Sequence, residues 1–155
     1  MIQYHGTSKT IADNLISGNI KVDVGGGELG KGFYTGNLLY KAFSRAHRYG
    51  KKNMAVVEFI FNDDDFLSYD INYLSFIASY LKYVEIAKKG KKEELFFNKD
   101  IIFASVVGDR TIIPYWEWKI KKLHKIVPCF SQIKFESNKA EKYLNSNKII
   151  KKLHL

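Results

Sequence analysis

The chain has 155 residues, 46% of them hydrophobic and 15% aromatic, enough for one domain around one buried core. No apolar run approaches the ~18 residues of a membrane span. The opening MIQYHGTSKT lacks the basic-then-apolar pattern of a secretory leader, and a single cysteine, Cys129, excludes an internal disulfide framework and fits a reducing cytoplasm. The formal charge of +9 favours an anionic partner: a nucleic acid, a nucleotide or an acidic protein. The same lysine-rich composition also arises from an AT-rich genome without selection for binding.

In chain order, residues 1–6 read as a short strand. A helix follows, capped by Thr7 or Ser8, with an apolar stripe of Ile11, Ala12, Leu15 and Ile16, and it stops at Gly18. The glycine-rich stretch VGGGELGKGFYTG then feeds a strand at KGFYT. Asn37 is placed to cap a second helix with Leu38, Leu39, Ala42, Phe43, Ala46 and Tyr49 on one side. MAVVEFIF (54–61) is a strand. Three aspartates, 63–65, connect to a longer helix near 70–88 with Ile71, Leu74, Ile77, Ala78 and Leu81 inward. KKGKKEE reads as a solvated break, IIFASVV (101–107) as a buried strand and GDR as a turn. Pro114 suits the first turn of a helix through WEWKIKKLHKI. A strand from Gln132 to Glu136, a helix capped by Ser137 and a final strand in KIIKKLHL complete the chain. Strands and helices mix without regular alternation, which predicts an α+β fold in a single domain, 1–155.

Two side chains beside glycine stand out. His5, in YHGTS, ends the first strand. An imidazole there either points into a cleft, with Gly6 allowing close approach of a ligand, or is a satisfied structural histidine. In KGFYTG, alternation puts Phe33 and Tyr34 on opposite faces, so one can be core and the other can offer a ring and a hydroxyl to a flat ligand; both as core or rim is the plainer reading. The glycines fit no dinucleotide-binding βαβ context, since no helix opens directly from them. Arg45 and Arg48, three apart on one helix, can share a face toward phosphates or toward solvent. Tyr115, Trp116 and Trp118 read as core and rim, or as stacking surfaces for bases.

Together, YHGT and GKGFYT resemble the first two motifs of the ADP-ribosyltransferase superfamily in its His-Tyr branch. The chain is most similar there to small bacterial members of a toxin-like domain family of uncharacterised function. NLLYKAFSRAHRYG, DIIFASVVGDRT and SQIKFESNKAEKYL resemble later segments of the same group, so the likeness covers most of the chain. The resemblance implies a split mixed β-sheet core with flanking helices and NAD as co-substrate. It implies that His5 holds ribose and nicotinamide-side groups, that Tyr34 stacks on the nicotinamide ring, and that the two rings converge from neighbouring strands. Gly6 and Thr7 would approach the nicotinamide amide. Gly32 and Phe33 flank Tyr34 in the same binding region, Arg45 would meet the diphosphate, and the glycine loop would form a lip over the dinucleotide.

The wider superfamily has a glutamate at the start of a late strand, where this chain has Gln132. Glu136, four residues on, shares a strand face with Gln132. Three outcomes stay open: Gln132 acts with a base supplied by the acceptor, Glu136 takes the role, or the site binds NAD and turns it over poorly. The expected function is a cytoplasmic, toxin-like NAD-dependent mono-ADP-ribosyltransferase. Its acceptor would be an intracellular macromolecule, nucleic acid or protein, and a small antitoxin protein would be a further partner. The alternatives are a non-catalytic module for NAD, ADP-ribose or RNA on the same scaffold, and an NAD glycohydrolase.

Overall fold

The computed structural model describes residues 1–89, 96–107 and 131–155. Strand β1 (Ile2–Ser8) leads into α1 (Lys9–Ile16), whose first turn is capped by Ser8 through Ile11 N to Oγ at 3.4 Å. Gly18 follows with φ +78°, a left-handed conformation that glycine reaches without a Cβ clash. The glycine-rich stretch folds into a small antiparallel hairpin, β2 (Gly26–Gly27) and β3 (Gly30–Lys31), before β4 (Phe33–Gly36). Next come α2 (Leu39–Ala46), a 3-10 turn over His47–Tyr49, and β5 (Met54–Ile60). The short α3 (Asp63–Leu67) carries the three aspartates in its first turn, where the positive end of the helix dipole favours them. Then come β6 (Ile71–Leu74), α4 (Phe76–Lys89), β7 (Ile101–Ser105) and β8 (Ser131–Phe135). Helix α5 (Asn138–Leu144), capped by Ser137, and β9 (Ile150–His154) end the chain.

Seven strands form one mixed sheet in the order β6-β7-β8-β4-β1-β5-β9, with β6 and β7 parallel and the other neighbours antiparallel. The fold is α+β in one domain. One face carries the main core: Phe33, Phe59, Phe61, Phe66, Phe135 and Tyr143 interlock with Ala12 and Leu15 of α1 and Leu144 of α5. On the other face, Ala42 and Ala46 of α2 pack on Val56 and Tyr4.

Three local expectations change. The segment 70–88 is not one helix. Ile71–Leu74 pairs with Ile101–Ala104 because the Asp70 carbonyl takes the amides of both Asp100 and Ile101, and Ser75 Oγ accepts from Ala78 N to restart the chain as α4. Ile77 and Leu81, expected inward, are 71% and 61% exposed, while Ile86 is buried. Asn37 does not cap α2. Its Oδ1 accepts instead from Ser131 N at 3.2 Å, and Leu38 stands at the cap position without a side-chain bond. In α1 only Ala12 and Leu15 are buried; Ile11 and Ile16 are exposed. The expected KKGKKEE break, GDR turn and helix from Pro114, with Tyr115, Trp116, Trp118 and Cys129, lie at least partly outside the described residues. Among the described residues no helix is long and apolar enough to cross a membrane.

Candidate functional site

Strand β1 is in register with β5 along its whole length, from Ile2↔Ile60 to Ser8↔Met54, but meets β4 only at Tyr4↔Gly36. Strand β4 is committed on its other side to β8, from Phe33↔Phe135 to Gly36↔Gln132. The sheet is therefore joined at its middle by a single pair. Around this junction lies a cleft of about 520 Å³, bordered by β1, β4, the glycine hairpin, α2 and the start of β8. That volume falls within the ~300–1,000 Å³ usual for small-ligand sites.

The cleft brings together most of the residues expected from sequence. His5, Gly6 and Thr7 border it from β1, and Phe33 and Tyr34 from β4, with Gly32 just before it. Arg45 and Gln132 also border it. Glu136 does not. Its Oε1 accepts from the amides of Phe97 (2.7 Å) and Asn98 (2.9 Å), and its Oε2 pairs with Lys134 Nζ at 2.5 Å. Lying just past the end of β8, it is drawn into a buried ion pair instead of facing the cleft with Gln132.

No family model matches the chain, and no curated protein sequence matches it.

The two rings expected to converge do not meet ring to ring. His5 pairs with Val57 on the main-core face, whereas Tyr34 pairs with Lys134 and projects to the opposite face. Instead, His5 Nδ1 lies 2.6 Å from the main-chain oxygen of Tyr34, and its ring stacks on Phe33 with centroids 4.6 Å apart. A carbonyl only accepts, so Nδ1 carries the proton and Nε2 is left as an acceptor. Burial lowers the His5 pKa; the Tyr34 carbonyl opposes this, and Arg48 and Arg45 lower it further. The imidazole is therefore neutral at pH 7.

Tyr34 is held from two sides. Its hydroxyl donates to the Gly30 oxygen at 2.6 Å, and the ring lies so close to Gly27 that a Cβ there would come within 2.8 Å of Cζ. Burial, the largest effect, raises the phenol pKa far above its ordinary value, so the ring stays protonated. The glycines of the hairpin thus let its backbone lie against a tyrosine ring and fix it as a wall of the cleft.

Two other glycines serve packing. A Cβ on Gly6 would collide with the Ala42 carbonyl oxygen, so Gly6 seats α2 on β1. A Cβ on Gly32 would sit 2.7 Å from Cγ and Cε of Lys134, so Gly32 gives passage to a buried lysine stem. Both border the cleft, but their missing side chains make room for the protein itself.

The electrostatics are one-sided. Lys21, Lys41, Arg45 and Arg48 border the cleft, and no acid does among the described residues. Arg48 is braced by Tyr49, its Nη2 donating to the phenol oxygen at 2.7 Å with the guanidinium over the ring. Thr35 Oγ1, on the cleft wall, is buried with no hydrogen-bond partner among the described residues. Sequence reasoning missed Glu28, the one acid in VGGGELGKGFYTG. Its Oε2 accepts from Gln132 Nε2 at 3.0 Å and from Val107 N at 2.8 Å. An acid inside a glycine-rich stretch was the available signal.

Proposed function

We propose that the cleft binds NAD and transfers its ADP-ribose to a macromolecular acceptor, nucleic acid or protein. The observation that carries this is that one cleft is bordered by a neutral His5, a clamped Tyr34, an oriented Gln132, Arg45 and Arg48, although the His5 and Tyr34 rings face opposite sides of the sheet. The guanidiniums suit a diphosphate, as charge-assisted hydrogen bonds to phosphate are the strong ones. His5 Nε2 accepts a ribose hydroxyl, and the Tyr34 wall takes the pyridinium. The seven strands form one continuous sheet, and what supports the expected split is the weakness of its middle, where β1 and β4 share a single pair beside the cleft. This reading calls for a protein with access to cytoplasmic NAD.

In the reaction the C1′–N bond breaks and its electron pair leaves with neutral nicotinamide. The sugar passes through an oxocarbenium-like state, as in glycoside cleavage. A lone pair of the acceptor forms the new bond at C1′, and its proton goes to a base on the acceptor or to water. Binding holds the two reactants in line and removes much of the entropic barrier. With water as acceptor the same cleft is an NAD glycohydrolase.

The test is incubation of the pure protein with NAD labelled in the adenylate half, alone and with a total cell extract, followed by separate nuclease and protease digestion. Free nicotinamide plus label lost to one digestion supports transfer and names the acceptor class. Free nicotinamide without bound label leaves hydrolysis. A folded protein that does neither removes the enzymatic reading. Among the described residues every charged side chain bordering the cleft is basic, which favours one second reading, a non-catalytic NAD, ADP-ribose or RNA binder, and predicts calorimetric binding with no turnover.

A further inference from the structure

Gln132 Nε2 faces two groups that can only accept, the Glu28 carboxylate at 3.0 Å and the Ser105 carbonyl at 3.3 Å. Those partners fix which end of the amide is nitrogen, and they use both of its hydrogens. The side chain is almost fully buried, yet Gln132 borders the cleft. Among the described residues nothing donates to its Oε1, which is therefore the end left for a ligand. Glu28 does not border the cleft among the described residues; it stands behind Gln132, itself held by the Val107 amide at 2.8 Å.

We infer that Glu28 is a positioning residue: it locks the Gln132 amide with the carbonyl oxygen toward the cleft and sets a fixed negative charge behind it. The geometry of this inference is independent of the transferase reading; its chemical consequence rests on that reading. A carboxylate accepting from the amide nitrogen polarises the amide and makes Oε1 a better acceptor for a ribose hydroxyl. The same charge favours the cationic sugar, and preorganised groups of this kind are worth most in a site closed to water. The pairing also accounts for an amide at position 132. A carboxylate there would face Glu28 at about 3 Å, and two like charges at that distance cannot both stay ionised.

The experiment compares wild type with Glu28→Gln, Glu28→Ala and Gln132→Glu. The readouts are side-chain amide NMR of Gln132 and steady-state nicotinamide release from NAD. Wild type is expected to show two well-separated, exchange-protected Gln132 amide protons. Glu28→Gln keeps an acceptor and so keeps those signals, while kcat falls about tenfold with KM little changed, because the charge is gone. Glu28→Ala collapses the signals toward those of a free amide and lowers kcat by about 10²-fold. Gln132→Glu lowers kcat as well, and if Glu28→Ala does not fold, Glu28→Asp, whose carboxylate is one methylene short of Nε2, takes its place in the NMR comparison. Unchanged Gln132 signals in Glu28→Ala overturn the positioning role. An unchanged kcat in Glu28→Gln overturns the charge role. If wild type releases no nicotinamide, the transferase reading and the charge role fall together, and the NMR comparison still decides the positioning role.

Discussion

The imidazole of His5 is tied to Tyr34 through the latter's main-chain oxygen, 2.6 Å from Nδ1, and not through its ring. The bond bridges two strands that share only one ladder pair, Tyr4↔Gly36. It therefore holds the junction as well as orienting Nε2. Because the folded-state pKa is lowered, the unfolded chain takes up a proton at His5 near the ordinary pH of about 6.5, while the folded chain does so only at lower pH. Between those values the unfolded state binds more protons, so stability rises with pH and is lost as pH falls. Urea midpoints of wild type and His5→Asn, measured from about pH 5 to 7.5, should show a steeper fall toward acid in wild type. Parallel curves would show that His5 does not titrate as described.

Gly6 is filled from outside by α2. Replacing it with alanine drives a methyl into the Ala42 carbonyl, backbone against backbone, which side-chain rotation cannot relieve. Gly6→Ala is expected to lose about 3 kcal/mol of stability, the upper end of the overpacking range. Since α2 also carries Arg45, NAD affinity should fall in the same variant. Denaturant titration and calorimetry read the two effects.

Substitutions at Glu136 and Gln132 are expected to separate stability from the proposed chemistry. Burial lowers the Lys134 pKa and the Glu136 carboxylate opposes that; their side chains are 0% and 4% exposed. Breaking a buried pair from one side typically costs about 3–5 kcal/mol. Glu136→Ala should therefore be strongly destabilised yet retain kcat where it remains folded, at low temperature. Gln132→Ala takes a donor from the buried Glu28 carboxylate and should lose about 1–3 kcal/mol, less than Glu136→Ala, but it should lose nicotinamide release where it remains folded. A catalytic collapse in Glu136→Ala at full folding would return the third role to Glu136.

Arg45 and Arg48 should act on phosphate. Arg45→Ala and Arg48→Ala are each expected to weaken NAD binding roughly tenfold, the equivalent of one charged hydrogen bond. Nicotinamide riboside, which lacks the diphosphate, should bind the variants as it binds wild type. Raising salt from about 0.05 to 0.5 M should narrow the difference, since screening shortens the reach of exposed charges. Equal losses for both ligands would mean that the arginines support the cleft wall and do not read phosphate.

What the sequence alone determined is local. Ser8 and Ser137 cap helices, Met54–Ile60 and Ser131–Phe135 form strands, and the mixed α+β character follows, because caps and periodicity act over a few residues. The pairing of YHGT with GKGFYT also singled out residues that share one cleft. Local pattern failed where partners distant in sequence took a residue over. Asn37 left its helix for Ser131, Ile71–Leu74 became a strand beside β7, and Glu136 turned to Lys134 and the amides of Phe97 and Asn98. Only the tertiary structure set the strand order and brought Glu28 to Gln132 across 104 positions. A hydrogen bond at that separation leaves no periodic trace in the chain: it exists because the sheet places the two side chains together, and the cost of burying them unpaired then keeps them there.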